Sequence, residues 1–500
     1  MAYAKTSQII YRPEWNLHLG HLPTLYYNNQ WAEQNQARCL LILDDIYRTG
    51  YLENFRRDFE WLKFSHIMVK PLSEYLPQII EETIKLIRLG CVRVESHQRG
   101  VIQRYNAEIS ESIFKNIVEK SSTESYHVKF ITPLGSGSQT QTHPQTQTHS
   151  QTHPVWGHAS SKIFVENQKD SEQNQEQVSV IFRSFRGEKN WTIDYAVSMI
   201  DILEGVTHIV NLSKTDILNY EISQRLYKVL NLPLPEIVTH KPFRISDFRY
   251  QKIQLDEMIQ KGLIHNWDDP RLLTLSGLRH RGYPVELLHK FCEMGYEMGM
   301  IGVNQLDYIL QNHCSQTCQR RFAILDPVKV TITNWDPKVY SYVCKPRHPH
   351  FSQNGHYLVP LSREVYLDRY DLTEREVRLK YACLLTFTNN DTYHPEAVSS
   401  QTQQKDRPYV HWISVGFQPV RQASFYMYRG YYTGNHQCNL SNKMIQGLVE
   451  EGCEFVPGEI YQFERIGYFV CHQNDNVSGD SDSSISSLVF YQIVPYRNRV

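Results

Sequence analysis

The sequence predicts an α/β and all-β multidomain chain, and three observations carry that prediction. An apolar run, Cys39-Leu40-Leu41-Ile42-Leu43, stops at Asp44-Asp45 among segments of helical spacing in the first 95 residues. Helical spacing then dominates residues 252–312. After about residue 320, β-branched and aromatic runs alternate with turn residues, as in barrels or sandwiches.

Taken in order, Ile9, Ile10 and Tyr11 form a first apolar stretch leading into a loop with proline and histidine. The 39–43 run reads as a buried strand. A strand ending in paired acids suggests a ligand edge, because open α/β sheets bind at the carboxyl ends of their strands. Leu76, Ile79, Ile80, Ile84 and Ile87 recur at helical intervals, as do Ala196, Met199, Ile200, Leu203 and Val206. Thr207-His208-Ile209-Val210 reads as the next strand. Between these blocks, residues 135–160 repeat Gln-Thr-His three times with almost no apolar content. Such a stretch cannot support a core and reads as a solvated loop. Its histidines, His143, His149, His153 and His158, are expected to be part of a polar expansion rather than a metal site.

Composition sets the outer limits. The chain has 500 residues, 52 Lys+Arg against 53 Asp+Glu, 41% hydrophobic and 21% charged residues. That suggests about three domains and excludes a wholly disordered chain. No apolar run is long enough to span a membrane, and Met1–Trp15 lacks a secretory pattern. Ten scattered cysteines fit reduced thiols, so a cytoplasmic setting and no membrane partner are expected. Net charge −1 neither favours nor excludes nucleic acid, which needs local basic surface.

Two histidines flank a glycine in His18-Leu19-Gly20-His21, ahead of a helical stretch from Thr24. At such a turn glycine allows close approach to phosphate, and imidazoles can donate to a developing pentacoordinate phosphate. By itself the motif is weak, since a turn with two unrelated histidines looks the same. Its context is more specific. Asp44-Asp45 follows, then Asp194-Tyr195, Leu203-Glu204-Gly205, Asn266-Trp267-Asp268-Asp269-Pro270-Arg271 and Leu275-Ser276-Gly277-Leu278-Arg279-His280-Arg281. In this order the segments resemble class I aminoacyl-tRNA synthetases of the glutaminyl/glutamyl subclass. Ala323–Lys329, Val410–Ser414 and Tyr461–Phe469 resemble the anticodon-binding β-barrels of glutaminyl-tRNA synthetases. The resemblance covers nearly the whole chain and is weakest between 96 and 190.

That resemblance implies a Rossmann-type catalytic domain, with its first half at 1–95 and its second at 191–255. It implies an acceptor-stem-binding-like insertion at 96–190, a helical subdomain at 256–320 and two anticodon-binding-like barrels at 321–500. The implied activity is ATP-dependent adenylation of glutamine or glutamate, with Mg²⁺, and transfer to the 3′ end of a tRNA of glutamine type by a monomer. His18, Gly20 and His21 match the signature that contacts ATP, Glu14 an acid before it, and Arg244 an arginine near the nucleotide. Asp44 matches the acid that holds the amino acid's ammonium. Lys252 lands on the phosphate-binding lysine of the second signature, although its neighbours read Tyr250-Gln251 instead of Met-Ser and the loop before it is shorter. A surface-helix lysine is the other reading. Ile193 replaces a substrate-reading tyrosine, and Asn211 is neither the small residue of glutaminyl enzymes nor the arginine of glutamyl enzymes. Losing hydrogen-bond partners from an amide-reading pocket bears on specificity.

Toward RNA, Arg320, Gln462 and Arg465 fit residues that reach anticodon bases, as side chains read splayed single-stranded loops. The basic loop before Glu376 is shortened to Asp371–Arg375. His313-Cys314 and Cys318 have no second pair at zinc spacing, and no metal site is expected. Asp268-Asp269 is expected to serve capping and anchoring, and the Arg271–Arg281 cluster to brace helices. Two alternatives stay open at this point. One is a degenerate paralogue that binds tRNA without charging it, and the other a repurposed ligase activating a different amino acid.

Overall fold

The computed structural model describes residues 5–9, 16–43, 45–46, 52–98, 101–120, 124–133, 163–167, 175–185, 188–211, 221–239, 243–338, 342–351, 353, 355–389, 395–400, 409–416, 420–428, 430–434, 442–450, 454–472 and 488–495. Glu14, Asp44 and the Gln-Thr-His stretch lie outside them. The chain forms two compact units, Met1–Trp15 with His21–Pro242, and Asn16–Gly20 with Phe243–Val500.

In chain order, the first unit contains β1 (Thr6–Ile9), α1 (Leu22–Gln34), β2 (Arg38–Leu43), α2 (Leu52–Leu62), β3 (Ile67–Pro71) and α3 (Leu76–Arg88). Then come β4 (Val92–Gln98), β5 (Val101–Arg104), α4 (Ala107–Glu119), β6 (Tyr126–Pro133), β7 (Ile163–Asn167), β8 (Gln175–Phe185) and β9 (Glu188–Trp191). It ends with α5 (Ile193–Leu203), β10 (His208–Asn211), α6 (Glu221–Val229) and β11 (Glu236–Thr239). Strands β11-β10-β1-β2-β3 form a parallel sheet in that order. Cys39 to Leu43 are buried along β2, as expected of a parallel strand covered on both faces. Strand order reverses between β1 and β10, the switch point where open sheets leave a crevice at their carboxyl ends.

Between β3 and β10 runs an antiparallel sheet, β5-β4-β6-β8-β7, with β9 paired to β8. Val92 and Val94 of β4 and Val128 and Phe130 of β6 pack in one core with Ile79, Phe114, Met199 and, from β2, Leu40. The opposite face is polar. There Arg93, Arg104 and Lys129 converge on buried Glu95 at 2.9, 3.4 and 2.7 Å. These contacts hold a buried carboxylate among cations on that face.

The second unit opens with β12 (Arg244–Ser246), α7 (Lys252–Gln260), α8 (Leu275–His280), α9 (Val285–Met298), β13 (Met300–Gly302) and α10 (Asn304–Thr317). Thr274 caps α8 by accepting a hydrogen bond from the Gly277 amide at 3.0 Å. All later elements are strands or short 3₁₀ turns: β14 (Gln319–Arg321), β15 (Ala323–Ile324), β16 (Pro327–Ile332), β17 (Tyr342–Pro346), β18 (His356–Pro360), β19 (Glu364–Asp368), β20 (Glu376–Leu379), β21 (Leu384–Asn389), β22 (Glu396–Ser400), β23 (Tyr409–Val410), β24 (Ile413–Ser414), β25 (Arg421–Tyr428), β26 (Asn442–Val449), β27 (Ile460–Phe463), β28 (Gly467–His472) and β29 (Leu488–Pro495).

Two sheets organise most of these strands, in the orders β14-β27-β28-β29-β25-β26-β15 and β23-β20-β21-β22-β16-β19-β24, while β17 and β18 pair only with each other. In each, the two edge strands are consecutive pieces of one segment, 319–324 in the first and 409–414 in the second. One short piece pairs at each edge, which closes the sheet on itself and leaves few unpaired edge groups. Alternating burial along β16 and β19 puts Val328, Val330, Val365 and Leu367 inside. Among the described residues no helix is long and apolar enough to cross a membrane, and every described cysteine is a free thiol.

Candidate functional site

The signature His18-Leu19-Gly20 is held by backbone from 250 residues downstream. Leu19 N donates to Leu273 O at 2.9 Å, Leu275 N donates to Leu17 O at 2.8 Å, and His18 bridges antiparallel to Thr274. This pairing buries His18. Its Nδ1 accepts the Gly20 amide at 3.0 Å, so the ring proton of the neutral imidazole resides on Nε2. Burial lowers the His18 pKa to about 3, which keeps the ring uncharged near neutrality. Phe248 and Tyr250 lie edge-on to it, with ring centroids 5.3 and 5.7 Å away. A Cβ at Gly20 would fall 3.0 Å from both His18 Cε1 and Phe248 Cε1, so residue 20 has no room for a side chain without displacing a ring. The result is an orientated N–H donor beside a bare stretch of backbone.

His21 belongs to the first unit and is the residue preceding α1, with its carbonyl accepting from Leu25 N at 3.2 Å. Pro23 stands in the first turn of that helix, where a missing N–H costs nothing. The α1 N-terminus therefore places a positive dipole end beside His21.

Arg244 is exposed on β12, whose partner is β13. Lys252 is the first residue of α7 and is exposed. The intervening residues are tied to the 430–434 segment: Arg249 N donates to Thr433 O at 2.8 Å and the Tyr250 hydroxyl donates to Tyr432 O at 2.6 Å. Asp269 receives Arg271 through Nε at 2.8 Å and Nη2 at 2.7 Å. Burial would raise the Asp269 pKa, and the Arg271 hydrogen bonds override it to leave the carboxyl lowered. Arg281 is fully buried and donates to the carbonyls of Pro270, Gly430 and Ile493. Asp269, Arg271 and Arg281 are thus internal anchors and braces.

In the first unit, Asn211 is the last residue of β10, at the carboxyl end beside the β1/β10 switch point. Ile193 opens α5 and packs half-buried against the core. Next to undescribed Asp44, Asp45 accepts from the Ser73 amide at 2.9 Å and from its hydroxyl.

The RNA-directed candidates gather in the second unit, and the two arginines each have a carboxylate partner. Arg320 and Gln462 are register partners across β14 and β27. Arg320 donates to Glu464 at 2.9 Å, and Glu464 also pairs with Lys380 and lies 3.6 Å from His411 Nε2. Burial would raise the Glu464 pKa, but His411 and Lys380 pull it far below the usual carboxylate range. Arg465 forms a two-pronged pair with buried Asp371 at 2.9 and 2.6 Å. Gln462 is buried, and its Oε1 has no hydrogen-bond partner among the described residues. The sequence reading missed Phe248 and Tyr250, whose contact with His18 spans more than 200 positions, and it missed the roles of Glu464 and Asp371. Glu464 was visible in Gln-Phe-Glu-Arg, but a pairing partner cannot be read from a motif alone.

Comparison with known proteins places these features. Residues 162–310 match the family model "tRNA synthetases class I (E and Q), catalytic domain", and residues 318–401 match "tRNA synthetases class I (E and Q), anti-codon binding domain". A glutamine–tRNA ligase of Vibrio cholerae serotype O1 is 25% identical, over 97% of this chain and 92% of that protein. One from Pectobacterium atrosepticum is 26% identical, over 97% and 93%. The crystal structure of glutamate-tRNA synthetase from Elizabethkingia anophelis matches 63% of this chain and 71% of that one, with 16% identity and a TM-score of 0.38. With both models matched in order, and relatives of one kind aligned along nearly the whole chain, the chain carries catalytic and anticodon-binding domains like those of the class I tRNA synthetases of the glutamate and glutamine group.

Proposed function

We propose that this chain is an aminoacyl-tRNA ligase of glutaminyl type, which activates glutamine with ATP and loads it onto the 3′ end of its tRNA. The observation that carries this reading is the collinear match to glutamine–tRNA ligases across 97% of the chain. In the first step a carboxylate oxygen attacks the α-phosphorus of ATP, the bond to the β-phosphate oxygen breaks, and pyrophosphate leaves. In the second, a terminal ribose hydroxyl attacks the activated carbonyl and AMP leaves. Neither step needs a protein nucleophile, so acceleration comes from positioning and charge stabilisation.

In this proposal the neutral His18 donates its Nε2–H to a phosphate oxygen as charge builds there. Gly20 allows close backbone approach, and His21 stands at the positive dipole end of α1. Lys252 supplies an exposed cation for phosphate, with Glu14 and Arg244 toward the nucleotide. Asp44 holds the substrate ammonium, and Ile193 and Asn211 face the choice of amino acid. Arg320, Gln462 and Arg465 face anticodon bases. Mg²⁺ would enter on the phosphates of ATP, the usual way a cation that keeps several waters is held at such sites.

The domain reading is 1–95 and 191–255 for the catalytic halves, 96–190 for the acceptor-stem insertion, 256–320 for the helical subdomain and 321–500 for the barrels. ATP–pyrophosphate exchange driven by each amino acid in turn, with tRNA present, tests the function. Exchange with glutamine is expected. Binding of tRNA without exchange for any amino acid would overturn the ligase reading.

A further inference from the structure

We infer that Tyr250 is a positioning residue for His18, acting through a clamp that joins the signature turn to the 430–434 segment, an assignment that builds on the ligase reading. The Tyr250 hydroxyl is used twice: it accepts from Leu273 N at 2.6 Å and donates to Tyr432 O at 2.6 Å. Leu273 is the residue whose carbonyl holds the Leu19 amide, immediately beside His18. One phenol oxygen therefore fixes the strand on which the signature lies and ties it to a distant segment of the same unit.

The ring does the second part of the work. It meets the His18 imidazole edge-on at 5.7 Å and 74°. Phe248 packs against it at 4.6 Å and meets His18 at 5.3 Å, so the three rings form one cluster with both aromatics on one side of the imidazole. Tyr432 stacks on Tyr250 at 5.8 Å and 28°. Behind the ring the backbones are in close contact. Gly434 has φ +96, and a Cβ there would lie 1.6 Å from Arg249 O. With Nδ1 held by Gly20 and two aromatic rings packed against one side, the imidazole keeps one direction for its Nε2–H. Where the family pattern has methionine, this chain has a side chain able to make all of these contacts.

The test uses Tyr250→Phe, which keeps the ring and removes the hydroxyl, and Tyr250→Leu, which removes both. Each is combined with His18→Asn. Tyr250→Phe should lower kcat for glutamine-dependent pyrophosphate exchange by about tenfold and Tyr250→Leu by about a hundredfold, with KM for ATP within about twofold. In the His18→Asn background, Tyr250→Phe should change exchange by less than about twofold, because a residue acting through His18 has nothing left to position. Equal losses in both backgrounds, or a loss confined to KM, would overturn the assignment. The His18 ring resonances provide a readout independent of activity: they should shift and broaden in Tyr250→Leu and stay sharp in wild type. Unchanged His18 resonances would also overturn it. A wild type inactive with every amino acid would count against the ligase reading alone, and the imidazole spectrum would still decide the role of Tyr250.

Discussion

Phe322 lies face to face on the imidazole of His411, with ring centroids 4.3 Å apart and planes 19° from parallel. Each residue sits where a closing strand is broken, Phe322 between β14 and β15 and His411 between β23 and β24. The two closed sheets therefore meet at the points where their own hydrogen-bond ladders are interrupted. Lys345 adds a cation 3.1 Å from the Phe322 ring centroid, and its ammonium pairs with Glu450. Burial of Trp412 beside His411, with its Nε1 donating to Lys380 O at 2.9 Å, completes the joint.

Removing the Phe322 ring should therefore destabilise both sheets together. Phe322→Ala is expected to cost about 3–5 kcal/mol, by lost burial and the cavity left behind. Phe322→Leu, which refills most of the volume, should cost clearly less. Denaturant unfolding followed by tryptophan fluorescence measures both, and equal midpoints for wild type and Phe322→Ala would refute the joint.

Adenylation should depend on His18 and Lys252 while tRNA binding does not. His18→Ala should reduce pyrophosphate exchange by about a hundredfold or more, the range for losing one aimed donor to developing charge. Lys252→Ala should act in the same direction. Filter-binding affinity for tRNA should stay within about threefold in both, since a single phosphate contact at most is removed. Retained exchange in both variants would remove these residues from the ATP chemistry.

Acid should weaken the second unit through two buried imidazoles. Burial lowers His18 to about 3 and His411 to about 4, below the ordinary value of 6.5. Between those values and 6.5, the unfolded chain binds protons that the folded chain refuses. Stability is thus complete above pH 6.5 and is lost as pH falls toward 4 and then 3. At pH 5 the expected cost is roughly 2 kcal/mol per imidazole. His411→Asn should flatten the pH dependence of the denaturant midpoint between pH 7 and 5, and an unchanged slope would show that His411 is protonated in the fold.

Arg465 has both a structural and an RNA-directed part, and these separate by experiment. Arg465→Ala leaves buried Asp371 without its two-pronged partner, which should cost about 3 kcal/mol of stability. Asp371→Asn added to Arg465→Ala should recover much of that stability and none of the tRNA affinity. Calorimetric melting and tRNA binding on the same proteins decide the matter: recovery of both together would make Arg465 purely structural. Lysine at 465 should not substitute, because a point charge cannot make the planar double contact.

Much of the architecture was legible from periodicity, for a local reason. Leu76 to Ile87 repeat at helical intervals because one face of α3 must meet the sheet, and that helix forms over Leu76–Arg88. Cys39 to Leu43 are uniformly apolar because β2 is buried on both faces. The histidine motif was legible as a candidate, but its chemistry was not. Whether His18 is charged, and which nitrogen carries its proton, depends on burial by Thr274 and neighbours far along the chain and on the Gly20 amide. Likewise Arg320 and Arg465 read as basic, RNA-directed residues, and only the folded chain shows Glu464 and Asp371 beside them.

The sequence by itself determined the order of α/β, helical and β parts, the family resemblance, and the residue types available for phosphate, amino acid and RNA. These follow from patterns repeated over short distances, where one face of a helix or strand must avoid water. Tertiary structure alone decided how 319–324 and 409–414 each close a sheet from both edges, and how Phe322 meets His411. It also decided that Tyr250 clamps the His18 turn. Those relations bring together segments tens to hundreds of residues apart, and no local periodicity encodes which of many compatible surfaces will meet.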